Sequence, residues 1–221
     1  KDAISLQSKV ATEQSIFTGA IGPGQKSKPH KKKTSMKVKL QNVRLSFPSL
    51  FKASSFTGAD GSTSDPKFSA TFLLDEDANK ADIARMKKGI AEMTKEHFKG
   101  NAKALKGVCL RDGEEKTNDD GSIKDGFEGC QFVSASNKNR PKVVDRDPKI
   151  PLVAEDGKPY AGCYVNAVIT LWAQNNYFGK RINANLNAVQ FVKDGEPFGE
   201  ANVNPEDEFD TVEDDGDSML D

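Results

Sequence analysis

A long run of strict alternation constrains the fold of this 221-residue chain more than any other feature. From Gly162 to Gln174 every second residue is apolar or small, and polar and aromatic residues stand between them. Successive side chains of a strand point to opposite faces, so this run predicts a long strand with one buried face. After a turn at 175–179 a second alternating run follows, and the two predict a long β-hairpin. The apolar residues of the second run are Ile182, Ala184, Leu186 and Ala188.

Two further strands are predicted upstream of the hairpin. Residues 36–47 alternate with a shift of one position between Leu40 and Val43, which is typical of a bulged strand. Pro48 is expected to end that strand. Residues 67–74 alternate again and predict a second, half-buried strand.

One helix is predicted after these strands, with Asp75 or Asp77 as its cap. Its apolar residues recur every three or four positions and should pack on the sheet. They are Ile83, Met86, Ile90 and Met93, and His97 lies on the same face. We interpret His97 as a packed or boundary histidine, not a ligand.

The rest of the chain adds loops and one short strand. Residues 111–129 are acidic and glycine-rich and predict a surface loop, whereas Cys130–Ser136 has strand-like composition. Pro148, Pro151 and Pro159 leave no room for a helix between them. The fold class is therefore mainly β with an inserted helix, in a domain spanning residues 36–204.

Charge is strongly polarised along the chain. Its 32 Lys and Arg nearly balance 33 Asp and Glu, for a net charge of −1. Nine of the acids follow Pro205, where there is no Lys or Arg, so residues 1–205 hold 32 basic and 24 acidic residues, a net charge of +8. A basic body predicts a polyanionic partner, and the alternative is an ordinary domain with a solubility tail.

Both termini are expected to be disordered. Residues 1–35 form either a basic arm that contacts phosphates or a plain linker. Residues 205–221 form an acidic tail that is expected to recruit partner proteins or to compete with DNA for the basic body. The residues assigned to this tail contact are Phe209, Asp214, Asp215, Asp217, Leu220 and Asp221.

Catalysis, metals and cofactors are not predicted. Cys109, Cys130 and Cys163 are widely spaced, which disfavours a disulfide framework or a zinc site and indicates a reduced, cytoplasmic protein. Two pairs of carboxylates could in principle bind the metal ion of a nuclease, Asp145 with Asp147 and Asp119 with Asp120. Both pairs are explained more simply as solvated residues of surface loops. No nucleotide-binding or hydrolase motif is present, and no apolar run is long enough to cross a membrane.

The hairpin's polar face predicts a single-stranded DNA platform, because aromatic rings stack on any base while cations hold phosphates. The candidate hairpin residues are Tyr164, Trp172, Tyr177, Phe178, Lys180 and Arg181. Lys138, Arg140 and Lys142 add cations from a loop. The alternatives are that the large rings are core residues and that the loop cations are merely solvated.

Two blocks of sequence resemble a phage and prophage family of single-stranded DNA-binding proteins. The first is MKVKLQNVRLSFP at 36–48, and the second begins with GCYVNA at 162–167 and continues to DGEPFG at 194–199. The resemblance implies an OB-fold-like Greek-key β-barrel with an inserted helix, and DNA bound across an exposed barrel face. It also implies a role in phage-type replication and recombination. The expected function is coating and protecting single strands. A single-strand annealing or recombination mediator, and an interaction module that does not bind DNA, are the alternatives.

Overall fold

The computed structural model describes residues 35–58 and 61–198. Within them the chain forms eight strands and one α-helix, with short 3-10 turns at Ala102–Ala104, Gly113–Glu115 and Ala154–Asp156. The predicted arm and tail lie outside the described residues. In chain order the elements are β1 (Met36–Ser54), β2 (Lys67–Asp75), α1 (Lys80–Phe98), β3 (Leu105–Val108), β4 (Leu110–Asp112), β5 (Cys130–Asn137), β6 (Lys142–Val144), β7 (Tyr164–Asn176) and β8 (Gly179–Lys193).

The strands form one sheet that curls into a barrel. Its order is β3-β8-β7-β1-β2-β5-β4, with β6 paired to β8. Closure depends on the segment Leu105–Asp112, whose first half pairs with β8 and whose second half pairs with β5. The Asn137 side chain adds a direct link from β5 to β8 by donating to the Leu186 carbonyl at 3.0 Å. The predicted mainly-β fold with an inserted helix is confirmed, and so is the hairpin of β7 and β8.

β1 has three shifts of register, one against β7 and two against β2. Its register with β7 shifts between Leu40 and Val43, where Asn42 has a φ of 49°, so the predicted bulge is confirmed. The prediction that Pro48 ends the strand is wrong, because β1 continues to Ser54. Phe47 has a φ of 46° and the register with β2 shifts across Pro48, so a second bulge accommodates a residue that has no N–H to donate.

The barrel interior is filled by the apolar face of β7 and its neighbours. Val165, Ala167, Ile169 and Leu171 are buried as predicted. On β8 the expectation for Ala188 is wrong: the register with β7 shifts beyond Leu186, so Val189 and Phe191 take the inward positions and Ala188 is only half-buried.

β2 is buried on both faces, contrary to the prediction of a half-buried strand. Its outer residue Leu73 packs with Phe127 and Phe132 in a second apolar cluster. Phe127 belongs to the segment predicted as a surface loop but is only 1% exposed. One aromatic side chain therefore anchors this polar segment against β2 and β5.

The helix α1 packs against the barrel core, because its buried residues belong to the same apolar cluster as Ile169 and Leu171. Ile83, Met86 and Met93 are buried as predicted, whereas Ile90 and His97 are half-buried at the edge of the stripe. The residue that precedes the helix is Asn79, so neither Asp75 nor Asp77 is its N-cap. The Asp75 carboxylate instead accepts hydrogen bonds from the backbone N–H groups of the turn before the helix.

Candidate nucleic-acid interface

A cleft of about 1250 Å³ lies at one end of the barrel, between the β1–β2 loop and the β7–β8 turn. The β1–β2 loop contributes Phe56, and the turn contributes Phe178. Trp172 and Asn183 line the cleft from the outer face of the hairpin, and Ser134 lines it from β5. The cleft is therefore lined by several secondary-structure elements as well as by the two connections.

Three aromatic rings project into solvent around this cleft. Phe56 is 75% exposed, Tyr177 is 97% exposed and Phe178 is 70% exposed. Tyr177 and Phe178 form the two-residue turn, and their rings meet edge to face with centroids 5.9 Å apart. Asn176 fixes this turn by accepting a hydrogen bond from the Phe178 backbone N–H at 3.1 Å. Exposed rings grouped at one site indicate a surface that binds a flat, apolar ligand group.

The cleft also has a positive lining. Its cations are Lys67, Lys106, Arg111 and Arg181, and its one carboxylate among the described lining residues is Glu115. Lys138 lies near the β1–β2 loop and pairs with Asp65 at 2.7 Å, with both side chains largely exposed. The hydrogen bond and charge of Lys138 hold the pKa of the Asp65 carboxyl below its usual value.

Polar side chains cover the outer face of the hairpin, as predicted, and they bond to one another. Asn183 donates to Gln174 at 2.9 Å, and Gln174 donates to Asn176 at 2.9 Å. Further along the hairpin, Asn166 donates to Gln190 at 3.0 Å. These bonds hold the amides in place, so the outer face is a pre-ordered polar surface.

The structure brings together some of the predicted DNA-binding residues. Trp172, Phe178 and Arg181 all line the cleft, and Tyr177 stands at its edge beside Phe178. Trp172 and Tyr164 are both half-buried on the outer face and stay out of the barrel core.

Other predicted residues lie elsewhere. Tyr164 is eight residues from Trp172 along β7, roughly 26 Å away. Lys180 places its ammonium 5.9 Å from the centroid of the Phe98 ring, on the helix side. Arg140 stacks over Phe51 at 5.5 Å, and Lys142 begins β6, paired with β8 beyond the cleft. Their part in DNA binding stays a prediction.

Four aromatic or cationic residues of the cleft were not predicted from the sequence: Phe56, Lys67, Lys106 and Arg111. Phe56 had a usable signal, since it is a large aromatic residue in a loop of Ser, Thr and Gly. Lys106 and Arg111 had none, because their position depends on the segment that closes the barrel through non-local pairing.

We also searched the described residues for metal sites, reactive thiols and membrane-spanning helices. Residues 35–58 and 61–198 contain no cluster of His, Cys, Asp and Glu suited to a metal ion. Burial raises the pKa of the Cys109 and Cys163 thiols to about 11, which disfavours their reactive thiolate form. No helix in that part of the chain is long and apolar enough to cross a membrane.

Comparison with known proteins identifies the family of this chain. The model of a family described as the Enterobacter phage Enc34 ssDNA-binding protein matches residues 36–219. This chain belongs to that family. The resemblance inferred from the sequence blocks is thereby confirmed, and the matched range includes every residue that lines the cleft.

Individual phage proteins are similar to this chain over most of their length. "Putative protein p50" of Acyrthosiphon pisum secondary endosymbiont phage 1 is 39% identical over 187 residues, which is 80% of this chain and 94% of that protein. The single-stranded DNA-binding protein from bacteriophage Enc34 is 33% identical with a TM-score of 0.61, covering 79% of this chain and 90% of that one. The structure of the Enc34 protein in complex with ssDNA matches with 34% identity and a TM-score of 0.61, covering 74% and 89%.

Proposed function

We propose that this protein binds single-stranded DNA, without strong sequence preference, in the cleft between the β1–β2 loop and the β7–β8 turn. The observation that carries the proposal is the grouping of exposed rings and cations around one cleft. In an OB-fold these two loops and the strands between them are the usual site for oligonucleotides. The complex of the Enc34 protein with ssDNA supports the same ligand class.

Stacking would provide most of the base contact. Phe56, Phe178 and Trp172 belong to different elements around the cleft, so each can meet a different base. A ring face accepts any base, and each stack contributes about 1–3 kcal/mol. Bases of a duplex are stacked on each other and offer no free faces, so this mode favours single strands.

Cations would hold the phosphates. Lys67, Lys106, Arg111 and Arg181 line the cleft, and Lys138 pairs with Asp65 of the β1–β2 loop. Phosphate contacts release counterions, so binding should weaken steeply with salt. Neither stacking nor phosphate contact reads base edges, which is why little sequence preference is expected.

The cellular role follows from this binding mode and from the phage family. We infer that the protein coats and protects single strands during phage-type replication and recombination, as a non-enzymatic protein in the cytoplasm of a bacterial host. Residues 205–221, with their acidic side chains and sparse apolar anchors, would recruit replication or recombination proteins and compete with DNA.

Fluorescence anisotropy of labelled oligo(dT) and of a duplex of equal length tests the proposal at two salt concentrations. Saturable binding of the single strand that weakens with salt, with much weaker binding of the duplex, is the expected result. Equal affinity for the two DNAs would contradict it, and no binding of either would favour an interaction module that does not bind DNA. Incubation with magnesium should leave the labelled strands uncut.

A further inference from the structure

The loop between β6 and β7 places apolar side chains in solvent. Ile150 is 51% exposed and Val153 is 47% exposed, and Pro148 and Pro151 beside them are exposed as well. We call residues 145–153 the apolar loop. Apolar residues grouped on one exposed surface mark a protein–protein contact, whereas single exposed residues are ordinary. The proposed function does not account for this loop, because none of its residues lines the cleft.

Hydrogen bonds hold the apolar loop in one position on the barrel. Within it, the Asp145 backbone N–H donates to the Ile150 carbonyl at 2.9 Å. The Gln190 side chain of β8 donates to the Arg146 carbonyl at 2.8 Å, and Arg146 Nε donates to the Val192 carbonyl at 2.9 Å. Ile150 is thus held in solvent before any partner arrives, so little conformational freedom is lost when it is buried.

A pocket of about 270 Å³ lies beside the apolar loop, on the outer face of the sheet. We call it the side pocket. Its apolar lining includes Val144 and Pro148 from β6 and the loop, Val168 from β7 and Ala188 from β8. Since a water molecule takes about 30 Å³, the side pocket has room for the four carbons of an isoleucine side chain.

Charge complements these apolar surfaces. Lys39 is the one charged residue among the described residues that line the side pocket. Asp147 is exposed in the apolar loop, three residues before Ile150. Neither Lys39 nor Asp147 forms an ion pair with another described residue. The loop therefore has a carboxylate close to its exposed isoleucine, and the pocket has an ammonium close to its apolar lining.

These matching surfaces belong to one chain but do not meet within it. Ile150 is exposed and does not line the side pocket of its own chain, although Pro148 does. A second copy related by a two-fold axis can place each Ile150 in the other copy's pocket. Such a contact is made twice and leaves no further pocket open, so it ends at a dimer.

We propose that two copies of this chain form a two-fold dimer through the apolar loop and the side pocket. Ile150 of each copy enters the side pocket of the other, and Asp147 of each copy pairs with Lys39 of the other. The contact is small, so the dimer forms at micromolar protein concentrations. The proposal is independent of DNA binding, because no described residue of the loop or the pocket lines the cleft.

Sedimentation velocity of the full-length chain over a range of concentrations tests the dimer. The wild-type protein should pass from the mass of one chain to twice that mass as its concentration rises. Ile150→Glu should weaken the dimer at least about a hundredfold, because it would bring a carboxylate into an apolar pocket. A wild-type chain that stays monomeric throughout the micromolar range would overturn the proposal, and so would a dimer that Ile150→Glu leaves intact.

Charge reversal tests the pairing of Lys39 with Asp147. Lys39→Glu and Asp147→Lys should each weaken the dimer about tenfold, because each places like charges across the contact. The double variant restores opposite charges and should dimerise within about threefold of the wild type. Lys37→Glu is the matched control and should not change the dimer, since Lys37 is exposed on the same strand but outside the pocket. A double variant as weak as the single variants would overturn this arrangement.

Anisotropy with a short labelled oligo(dT) distinguishes a dimer surface from a second DNA surface. Lys39→Glu and Ile150→Glu should leave the affinity for this oligonucleotide unchanged while the mass falls to that of one chain. A loss of affinity in Lys39→Glu without any change in mass would assign this face to DNA and overturn the dimer. If the wild-type protein does not bind oligo(dT), the proposed function fails, while the masses still report on the dimer.

Discussion

The Arg44 guanidinium donates from Nη2 to the carbonyl oxygen of Glu196 at 2.7 Å, and from Nε to that of Gly162 at 3.2 Å. It also lies 4.2 Å from the centroid of the Phe198 ring. One side chain thus joins β1, the residues before β7 and the residues after β8. These segments belong to the two blocks that carry the family resemblance, and they meet at the end of β7 away from the cleft.

Substitution of Gly162 tests whether the close contact between residues 162 and 196 stabilises the fold. Gly162 has a φ of 105°, and a Cβ there would lie 2.1 Å from the Glu196 carbonyl oxygen. Gly162→Ala should therefore lower the free energy of unfolding by about 2–5 kcal/mol, from backbone strain and overpacking together. Urea denaturation followed by circular dichroism measures the change.

Gly157→Ala is the matched control. Gly157 has a φ of 65°, but a Cβ there meets nothing within 4 Å. It should lose only about 1–2 kcal/mol, from the left-handed backbone alone. If the two variants lose equal free energy of unfolding, the close approach of residues 162 and 196 does not exclude a side chain at position 162.

Removal of a cleft ring should weaken binding of single strands. Phe178→Ala and Phe56→Ala should each cost about 1–3 kcal/mol of binding free energy, roughly a 5- to 150-fold loss of affinity for oligo(dT). Ile150→Ala is the control, because Ile150 is also a large exposed apolar residue, at 51%, but lies outside the cleft. Comparable losses for all three variants in anisotropy titrations would contradict a role for the cleft.

Tyr164 should contribute only when the DNA is long. Its position at the far end of β7, roughly 26 Å from Trp172, puts it beyond the reach of an oligonucleotide that just fills the cleft. Its ring lies 4.4 Å from the Lys193 ammonium and 5.9 Å from Arg44, so a base there would meet both a ring and cations. Tyr164→Phe should preserve binding of a long oligo(dT), and Tyr164→Ala should weaken it, with neither affecting a short one. A loss with the short oligonucleotide would contradict this placement.

The ion pair of Asp65 and Lys138 should respond to DNA. Lys138 lowers the pKa of Asp65, so the pair is fully formed above the ordinary pKa of an aspartate and is lost as the pH falls through the lowered value. A DNA phosphate that takes the Lys138 ammonium would raise the pKa of Asp65, as would Lys138→Met. NMR titration of the Asp65 carboxyl measures both effects.

Asp120 is an internal control in the same titration. Its pKa is lowered chiefly by a hydrogen bond from the Ser122 side chain, within its own loop. Oligo(dT) should leave that pKa unchanged. An Asp65 pKa that is equally unchanged at saturating DNA would show that Lys138 does not contact phosphate.

Period-two alternation made much of the fold predictable, because it reports directly which face of a strand is buried. It identified the β7–β8 hairpin and the bulge after Leu40. It could not identify the second bulge at Pro48 or the shift before Ala188, since bulges depend on the partner strand's register. The burial of Phe127 also depends on a distant partner, β2.

In the candidate site too, residues grouped by a local sequence pattern were predicted, and residues placed by pairing with distant strands were not. Trp172, Phe178 and Arg181 belong to one local hairpin, and their sequence pattern sufficed to group them. Lys106 and Arg111 reach the cleft only because the segment Leu105–Asp112 closes the barrel between β8 and β5. Pairing between segments so distant in sequence cannot be predicted from the residues of any one segment.

Fluorescence of Trp172 during titration with oligo(dT) tests DNA binding in the cleft most directly, because it is the chain's only tryptophan and lines that cleft. Binding there predicts saturable quenching by the single strand that weakens with salt and is absent with an equal-length duplex. Oligo(dT) that binds in an anisotropy assay but leaves the Trp172 emission unchanged would contradict the placement of DNA in the cleft.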